Sequence, residues 1–451
     1  MSNILTTDVA QALPRDQATA RSQWMLVTCL TLISMLSQID KNVLVLMLGP
    51  IRHDLGVNDV QISFLIGAAL AIANIAVGLP AGWLADRFDR RRIVAIGVFV
   101  WSAAVASNVM ASTFWVLVVA RIVVGGAEAL APPASYSLIR DGVGPQRRAR
   151  AMSVYAMGTM LGTGLSLVMG GPLLDWIQTS GIRAIPVVGD VPPWRMLLFL
   201  IGVIGLPMSL LIYANRDPGR HTHDIAKPST ASNSIGNVYR LIVTHRALFA
   251  PLLIFAAANA IITFGLSSWI PTMTVRRFHI GIQEIGLAQG GLLLSMGPLG
   301  LWLAGLAMDR NRGGRLRNAA MVGCAVSAVL PMLTALLCTS GTLTMFWSVD
   351  AAVVLMSWTF MVVTATIVAK AVPPNMVGTA MAIVLVLNGL IGQGGSPTLI
   401  AVVGQYVYAG DPQALPLAMA IVFLGAGLVA FTASLLVYRA VKQYDKGEGL
   451  G

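Results

Sequence analysis

Long runs of apolar residues without a single charge recur along this chain, as from Trp24 to Ile39 and from Leu417 to Tyr438. Each approaches the ~20 residues that an α-helix needs to cross a bilayer. In hydrocarbon every backbone donor and acceptor must be satisfied within the segment, so such a run has one open choice, a membrane-spanning helix. Of the 451 residues 56% are hydrophobic and 11% charged, where a soluble domain carries roughly a quarter charged residues. Too little polar surface remains to cover a water-soluble fold.

Gly, Pro and polar residues divide the apolar runs into spans near 24–48, 60–84, 93–111, 114–138, 149–173 and 195–214, and again near 248–274, 284–308, 318–338, 344–371, 375–404 and 414–438. Between the two sets lies a polar stretch, 215–247, with Arg216, Asp217, Pro218, Arg220, His221, His223, Asp224 and Lys227. The expected fold is an all-α membrane protein of twelve transmembrane helices in two pseudo-symmetric six-helix bundles. Its parts are a tail (1–23), an N-terminal bundle (24–214), a linker (215–247), a C-terminal bundle (248–438) and a second tail (439–451).

A net charge of +11 would suit nucleic acid if the basic residues gathered on a solvated domain. Most fall instead in short runs at 86–92, 140–150, 310–317, the linker and the tails, on one side of a twelve-span topology, with only Arg52, Arg183, Arg195, Arg276 and Arg277 on the other. By the positive-inside rule the side with most of them is the cytoplasm, so both termini are expected there and the membrane is expected to be the cell's inner (plasma) membrane. The first 23 residues are polar, with Asp8, Arg15, Asp16 and Arg21, and lack the apolar core of a cleavable signal. Cys29, Cys324 and Cys338 show no paired spacing, and His53, His221, His223, His245 and His279 all fall outside the spans. No metal, cofactor or histidine proton relay is expected.

Ionisable residues inside a span cost ~2.5–3.5 kcal/mol on insertion scales and need a partner, a wet cavity or a task. Here they are Asp40 and Lys41 in the first span, Arg121 and Glu128 in the fourth and Asp350 in the tenth. A rise of 1.5 Å per residue puts Asp40 about 12 Å and Arg121 about 10 Å from the outer ends of their antiparallel helices, so an ion pair between them is possible. Arg121, Gly125 and Glu128 share one helical face, expected to line a central cavity. Asp40 and Glu128 are then placed to take up and release protons in competition with Arg121 and Lys41, which links protonation to substrate binding. The plainer alternative is a static ion pair that fixes helix packing. Lys41 can meet an acidic substrate, Asp40 or a backbone carbonyl; Asn388, in the eleventh span, can meet substrate or a neighbouring helix. Asp350 lies only some 9 Å inside its helix end and could reach interfacial water.

The segment Gly82-Trp83-Leu84-Ala85-Asp86-Arg87-Phe88-Asp89-Arg90-Arg91-Arg92 resembles the signature loop of the major facilitator superfamily, with Asp89 where glycine is usual. Gly305-Leu306-Ala307-Met308-Asp309-Arg310-Asn311-Arg312-Gly313-Gly314-Arg315 repeats it at the matching place in the second half. The resemblance implies the major facilitator fold and a conformational latch built from Gly82, Asp86, Arg87, Arg91, Asp309 and Arg310. Within that superfamily the chain most resembles Spinster-like transporters, through Ile39-Asp40-Lys41, Arg121, Gly125, Glu128 and the run from Pro132 to Asp141, with Lys41 where arginine is usual. Anion:cation symporters come second. Both groups imply proton coupling at Asp40, Arg121 and Glu128.

The expected activity is secondary transport of a small organic anion, a carboxylate, with protons, by alternating access; Lys41, Arg121 and Asn388 are the expected substrate contacts. The alternative is Spinster-like export or flipping of a lysophospholipid or other amphipathic lipid. No HExxH, GxSxG or Walker A motif occurs, so neither an enzyme nor an ATP-driven pump is expected. The expected partners are substrate, protons and the bilayer, with no nucleic acid, and the expected state is a monomer.

Overall fold

The structure, a computed structural model, describes residues 20–181, 184–185, 188–215, 231–309, 314–373 and 376–445. Among them are twelve helices long and apolar enough to span a membrane. They are α1 (Arg21–Leu46), α2 (Asp59–Gly78), α3 (Arg90–Met110), α4 (Phe114–Gly142), α5 (Gln146–Ser180) and α6 (Pro193–Ala214), then α7 (Arg246–Phe278), α8 (Ile282–Asp309), α9 (Arg315–Thr339), α10 (Leu343–Ala371), α11 (Val377–Tyr406) and α12 (Ala414–Gln443). Each overlaps one expected span.

The duplication is written into local structure. The fourth helix of each half opens on a threonine cap, Thr113 accepting from the Val116 amide and Thr342 from the Met345 amide, which satisfies one of the orphan donors of a first turn. Both helices are then interrupted, α4 after Glu128 and α10 at Trp358. Two other spans contain π-helical turns, Phe64–Ala68 in α2 and Asn388–Gly395 in α11. Wide turns of this kind often mark functional sites.

Short elements escape the sequence pattern. An amphipathic helix, Ala231–Thr244, occupies the second part of the linker and seats Val238, fully buried, with Leu241 and Ile242 against the apolar core of the C-terminal half. A second short helix, Leu48–Leu55, follows α1 and ends on Gly56 at φ +64, the left-handed conformation that glycine adopts without strain. Ala184–Ile185 pairs antiparallel with Gly189–Asp190 beyond α5.

The face from which the linker joins the halves is called the linker face, and the opposite one the far face. The halves meet most closely in their far-face portions. A side chain on Gly67 of α2 would stand 2.7 Å from the Gln393 carbonyl oxygen of α11, and one on Gly171 of α5 would stand 2.8 Å from that of Ile282 in α8; glycine permits these backbone approaches. Ser63 of α2 donates to Thr398 of α11 at 3.3 Å. Arg276 of α7 grips Asp59 of α2 with two hydrogen bonds of 2.7 Å, and Arg52 stands 3.3 Å from the same carboxylate.

Candidate functional site in the central cavity

A cavity of about 450 Å³ lies between the halves. Both basic residues are on its N-terminal wall, Lys41 of α1 and Arg121 of α4, with Gln38, Asn42, Thr159 and Thr163 set among apolar residues such as Leu65 and Leu70. Its C-terminal wall is largely apolar, with Phe264 edge-on to Trp358 at 5.9 Å and with Leu293 and Met361 beside them. Trp358, Met361 and Leu301 also line a second hollow that ends at Arg315 and Lys370, so the cavity continues toward the linker face.

Four intramembrane charges form two ion pairs between α1 and α4. Arg121 Nη1 is 3.4 Å from Asp40 Oδ2, and both side chains are 1% exposed. About two turns along α4 from Arg121 toward the linker face, Glu128 Oε2 lies 2.8 Å from Lys41 Nζ, and Ser37 donates to Glu128 Oε1 at 2.9 Å. The quartet is neutral as a whole, two bases against two acids, which lowers the cost of holding it in hydrocarbon. Its bonding is unequal. Arg121 Nε and Nη2 and Asp40 Oδ1 have no hydrogen-bond partner among the described residues, while Arg121 lies at the cavity wall. A guanidinium offers five N–H donors in a planar fork, so much of this one is uncommitted.

Glu128 sits in a side pocket of about 220 Å³ that also holds Asn74, Tyr136 and Tyr155 and joins the cavity walls at Gln38, Lys41 and Thr159. The shared face expected of Arg121, Gly125 and Glu128 is therefore divided. Arg121 fronts the cavity and Glu128 the side pocket. Gly125 instead packs on α2, where a side chain would meet the Leu70 carbonyl oxygen at 2.7 Å.

Two other expectations need correction. Asp350 does not reach interfacial water: it is fully buried, and neither carboxylate oxygen has a hydrogen-bond partner. Asn388 begins the π-helical turn of α11, is 4% exposed with both amide atoms unpartnered, and does not line the cavity. Gln393, one π-helical stretch further on, takes that place; a composition-based choice of polar residue cannot see where a π-turn rotates the helix.

In the signature loop, Arg90 is the buried member, though the sequence reading passed over it. It is 2% exposed and donates to the Ser137 hydroxyl at 3.1 Å and to Asp141, tying the start of α3 to the end of α4. Arg91 donates to the Asn215 carbonyl at 3.1 Å, and Arg87 lies 4.2 Å over the Trp83 ring. Asp89 caps α3 by accepting from the Arg91 amide at 2.9 Å with extended backbone (φ −61, ψ 114), so no glycine is required there. Burial acts to raise the Asp89 carboxyl, but the hydrogen bonds from the Arg91 side chain and amide outweigh it and hold the group below the usual carboxylate range. Gly82 has open space around it, and Asp309 pairs with Arg315 at 3.1 Å on the surface. Arg310 and the side chain of Asp86 lie outside the described residues.

The twelve-span duplicated fold, the repeated loop and the charged cavity agree with the sequence comparison: residues 30–397 match the Major Facilitator Superfamily, and the chain belongs to that family of transporters. Among its relatives is Protein spinster homolog 3 of Danio rerio, 24% identical over 85% of this chain and 77% of the other. The probable galactarate/D-glucarate transporter GudP of Bacillus subtilis (strain 168) is 23% identical over 67% of this chain and 68% of its own. Among solved structures, a bacterial homolog of the human lysosomal transporter Spinster, in an inward-facing and unoccupied conformation, superposes with a TM-score of 0.79 at 19% identity, covering 95% of this chain and 98% of that one. The resemblance to Spinster-like and anion-transporting members is thereby borne out, and so is the major facilitator fold.

Proposed function

We propose that this transporter moves a small organic anion, a carboxylate, together with protons, with Arg121 as the principal anion contact. The observation that carries this reading is the buried Arg121 at the cavity wall, held by one long contact to Asp40 with the rest of its donors uncommitted. Once Asp40 releases it, that guanidinium can turn from its buried position toward the cavity and donate to a carboxylate in the bidentate manner it favours. Lys41 supplies a second, point-like charge and is the more accessible of the two, its side chain 21% exposed.

Coupling follows from competition. While Asp40 and Glu128 are ionised they hold Arg121 and Lys41. A proton on each acid removes its charge and releases the base to the substrate, so one proton offsets each negative charge that the substrate brings. Loss of the protons restores the internal pairs and expels the anion. The far-face contacts between α2 and α11 and between α5 and α8, with the cavity continuing toward the linker face, describe one end state of alternating access. With the linker face in the cytoplasm, as the basic runs suggest, that state is inward-facing in the inner membrane, and the chain acts as a monomer. Asn388 then tunes the α11 turn and makes no substrate contact in this state.

The apolar wall of Phe264, Trp358, Leu293 and Met361 favours a second reading, export or flipping of an amphipathic lipid such as a lysophospholipid, and spinster homologs are among the relatives. Proteoliposome uptake separates the two: labelled sugar acids and simple carboxylates should accumulate down a proton gradient and labelled lysophospholipid should not. Lysophospholipid movement without carboxylate uptake reverses the assignment.

A further inference from the structure

Asp350 has no part in the mechanism above. It lies about 10 Å below the far-face end of α10 by helical rise, fully buried, outside every ion pair among the described residues and with both carboxylate oxygens unpartnered. The outer part of α10 packs on α8 and α9 and touches α7. The charged residues of those helices stand at their ends, and they are engaged elsewhere where a partner is seen. On α7, Arg246 stands at the linker-face end, Arg276 holds Asp59, Arg277 donates to the Cys338 carbonyl of α9, and His279 caps the far-face end beside Phe278. Glu284 and Asp309 mark the two ends of α8, and Arg315 at the start of α9 pairs with Asp309, with Arg317 a half-turn further. Cys324 and Cys338 are the other titratable groups on α9. None supplies a countercharge to Asp350, and an unpaired carboxylate in an apolar interior neutralises itself when it can.

The turn of α10 outward of Asp350 packs on the same end of α7 that reaches across the far face. Phe346, one turn outward from Asp350 and fully buried, stacks edge-on against Phe278 at 5.5 Å and Trp347 at 5.0 Å. Phe278 is the last residue of α7, two positions after Arg276, which spans to the other half through Asp59. An outward swing of the α7 end, which needs Arg276 to leave Asp59 and Arg277 to leave the Cys338 carbonyl, would separate Phe278 from Phe346.

We propose that Asp350 is a second proton site, in the C-terminal half, that must be loaded with a proton before the α7 end can close over it, so that closure of the far face is itself proton-linked. The inference rests on the alternating-access reading but is indifferent to the substrate carried. It makes proton binding a condition of gate closure, separate from the release of Arg121 and Lys41.

The test is a distance measurement across the far face, with spin labels at Ser180→Cys and Gln413→Cys in full-length protein in nanodiscs, titrated from acid to alkaline pH. It is made in a background of Asp40→Asn and Glu128→Gln, which removes the carboxylates of the N-terminal half. The ratio of open to closed far face should still rise with pH, by up to about tenfold per pH unit for one linked proton. Asp350→Asn, near in shape and unable to ionise, should flatten that dependence with the far face predominantly closed, and Asp350→Glu should retain it. A slope unchanged by Asp350→Asn, or no slope in the Asp40→Asn, Glu128→Gln background, overturns the inference while leaving alternating access intact. A far face that opens at no pH overturns both.

Discussion

Lys41 reaches past its neighbour Asp40 to pair with Glu128 on α4, Nζ to Oε2 at 2.8 Å, and leaves Asp40 to Arg121 at 3.4 Å. The two acids are thus partnered separately, each with its own base, and each base can be released by one proton. Removing one member of such a buried pair strands the other, at a cost of about 3–5 kcal/mol. Lys41→Met should lower thermal stability accordingly, and adding Glu128→Gln should recover most of the loss. Thermal unfolding in detergent across the four-membered cycle reads the coupling between the two sites, which simple additivity would place near zero.

Arg121→Lys keeps the charge but not the fork. Bidentate anion recognition depends on that planar geometry, and a charge-assisted hydrogen bond contributes about 1.5–3 kcal/mol. Carboxylate affinity, read by equilibrium binding to purified protein, should fall by about tenfold or more, with protein fold and yield maintained.

The far face should respond to its own ion pair. Arg276 and Asp59 are partly solvated, their side chains 34% and 22% exposed, so the pair contributes only about 0.2–1 kcal/mol. Asp59→Asn should therefore shift the closed-to-open ratio toward open by about two- to fivefold, measured by alkylation of a cysteine placed in the cavity. The exchanged pair Asp59→Arg, Arg276→Asp should restore part of it.

A harder obstruction is available at Gly67, where a side chain would stand 2.7 Å from the Gln393 carbonyl and 2.9 Å from that of Gly394. Backbone cannot yield as a flexible side chain does, so Gly67→Val should hold the far face open and abolish net transport. Substrate binding from the far side should persist in the same protein, which distinguishes a blocked closure from misfolding.

Asp89 predicts a pH effect of definite sign. Its carboxyl titrates below the ordinary range in the folded chain because it caps α3 and pairs with Arg91. The stabilisation is therefore complete above the ordinary carboxylate value and is lost as pH falls through the depressed folded value. Asp89→Ala should cost about 1 kcal/mol at neutral pH, with the difference from wild type shrinking in acid.

The fold was legible because a twelvefold alternation of apolar run and punctuation leaves a membrane chain little freedom, and because the polar stretch 215–247 divides it into halves that carry the same loop at matching places. The Asp40–Arg121 pair was legible too, since helical rise alone brings the two to one depth. Other features depended on rotation about helix axes. The choice of Glu128 by Lys41, the burial of Asn388 behind a π-turn and the withdrawal of Gly125 onto α2 turn on packing that no period of 3.6 contains. Ser37, one turn before Lys41 on the same face, was within reach of that spacing and would have pointed to Glu128's second partner. The linker helix Ala231–Thr244 was hidden by the polar residues that precede it, although Val238, Leu241 and Ile242 carry its apolar stripe.

The central claim is that protons and an organic anion compete for Arg121 and Lys41 through Asp40 and Glu128. Its most direct test is pH change in a weakly buffered suspension of proteoliposomes on adding a candidate carboxylate, with Asp40→Asn and Glu128→Gln in parallel. Coupled transport predicts proton movement with the substrate in wild type and its loss in both variants, with substrate exchange retained. Proton movement undiminished in both variants would contradict the account and return the two ion pairs to helix packing alone.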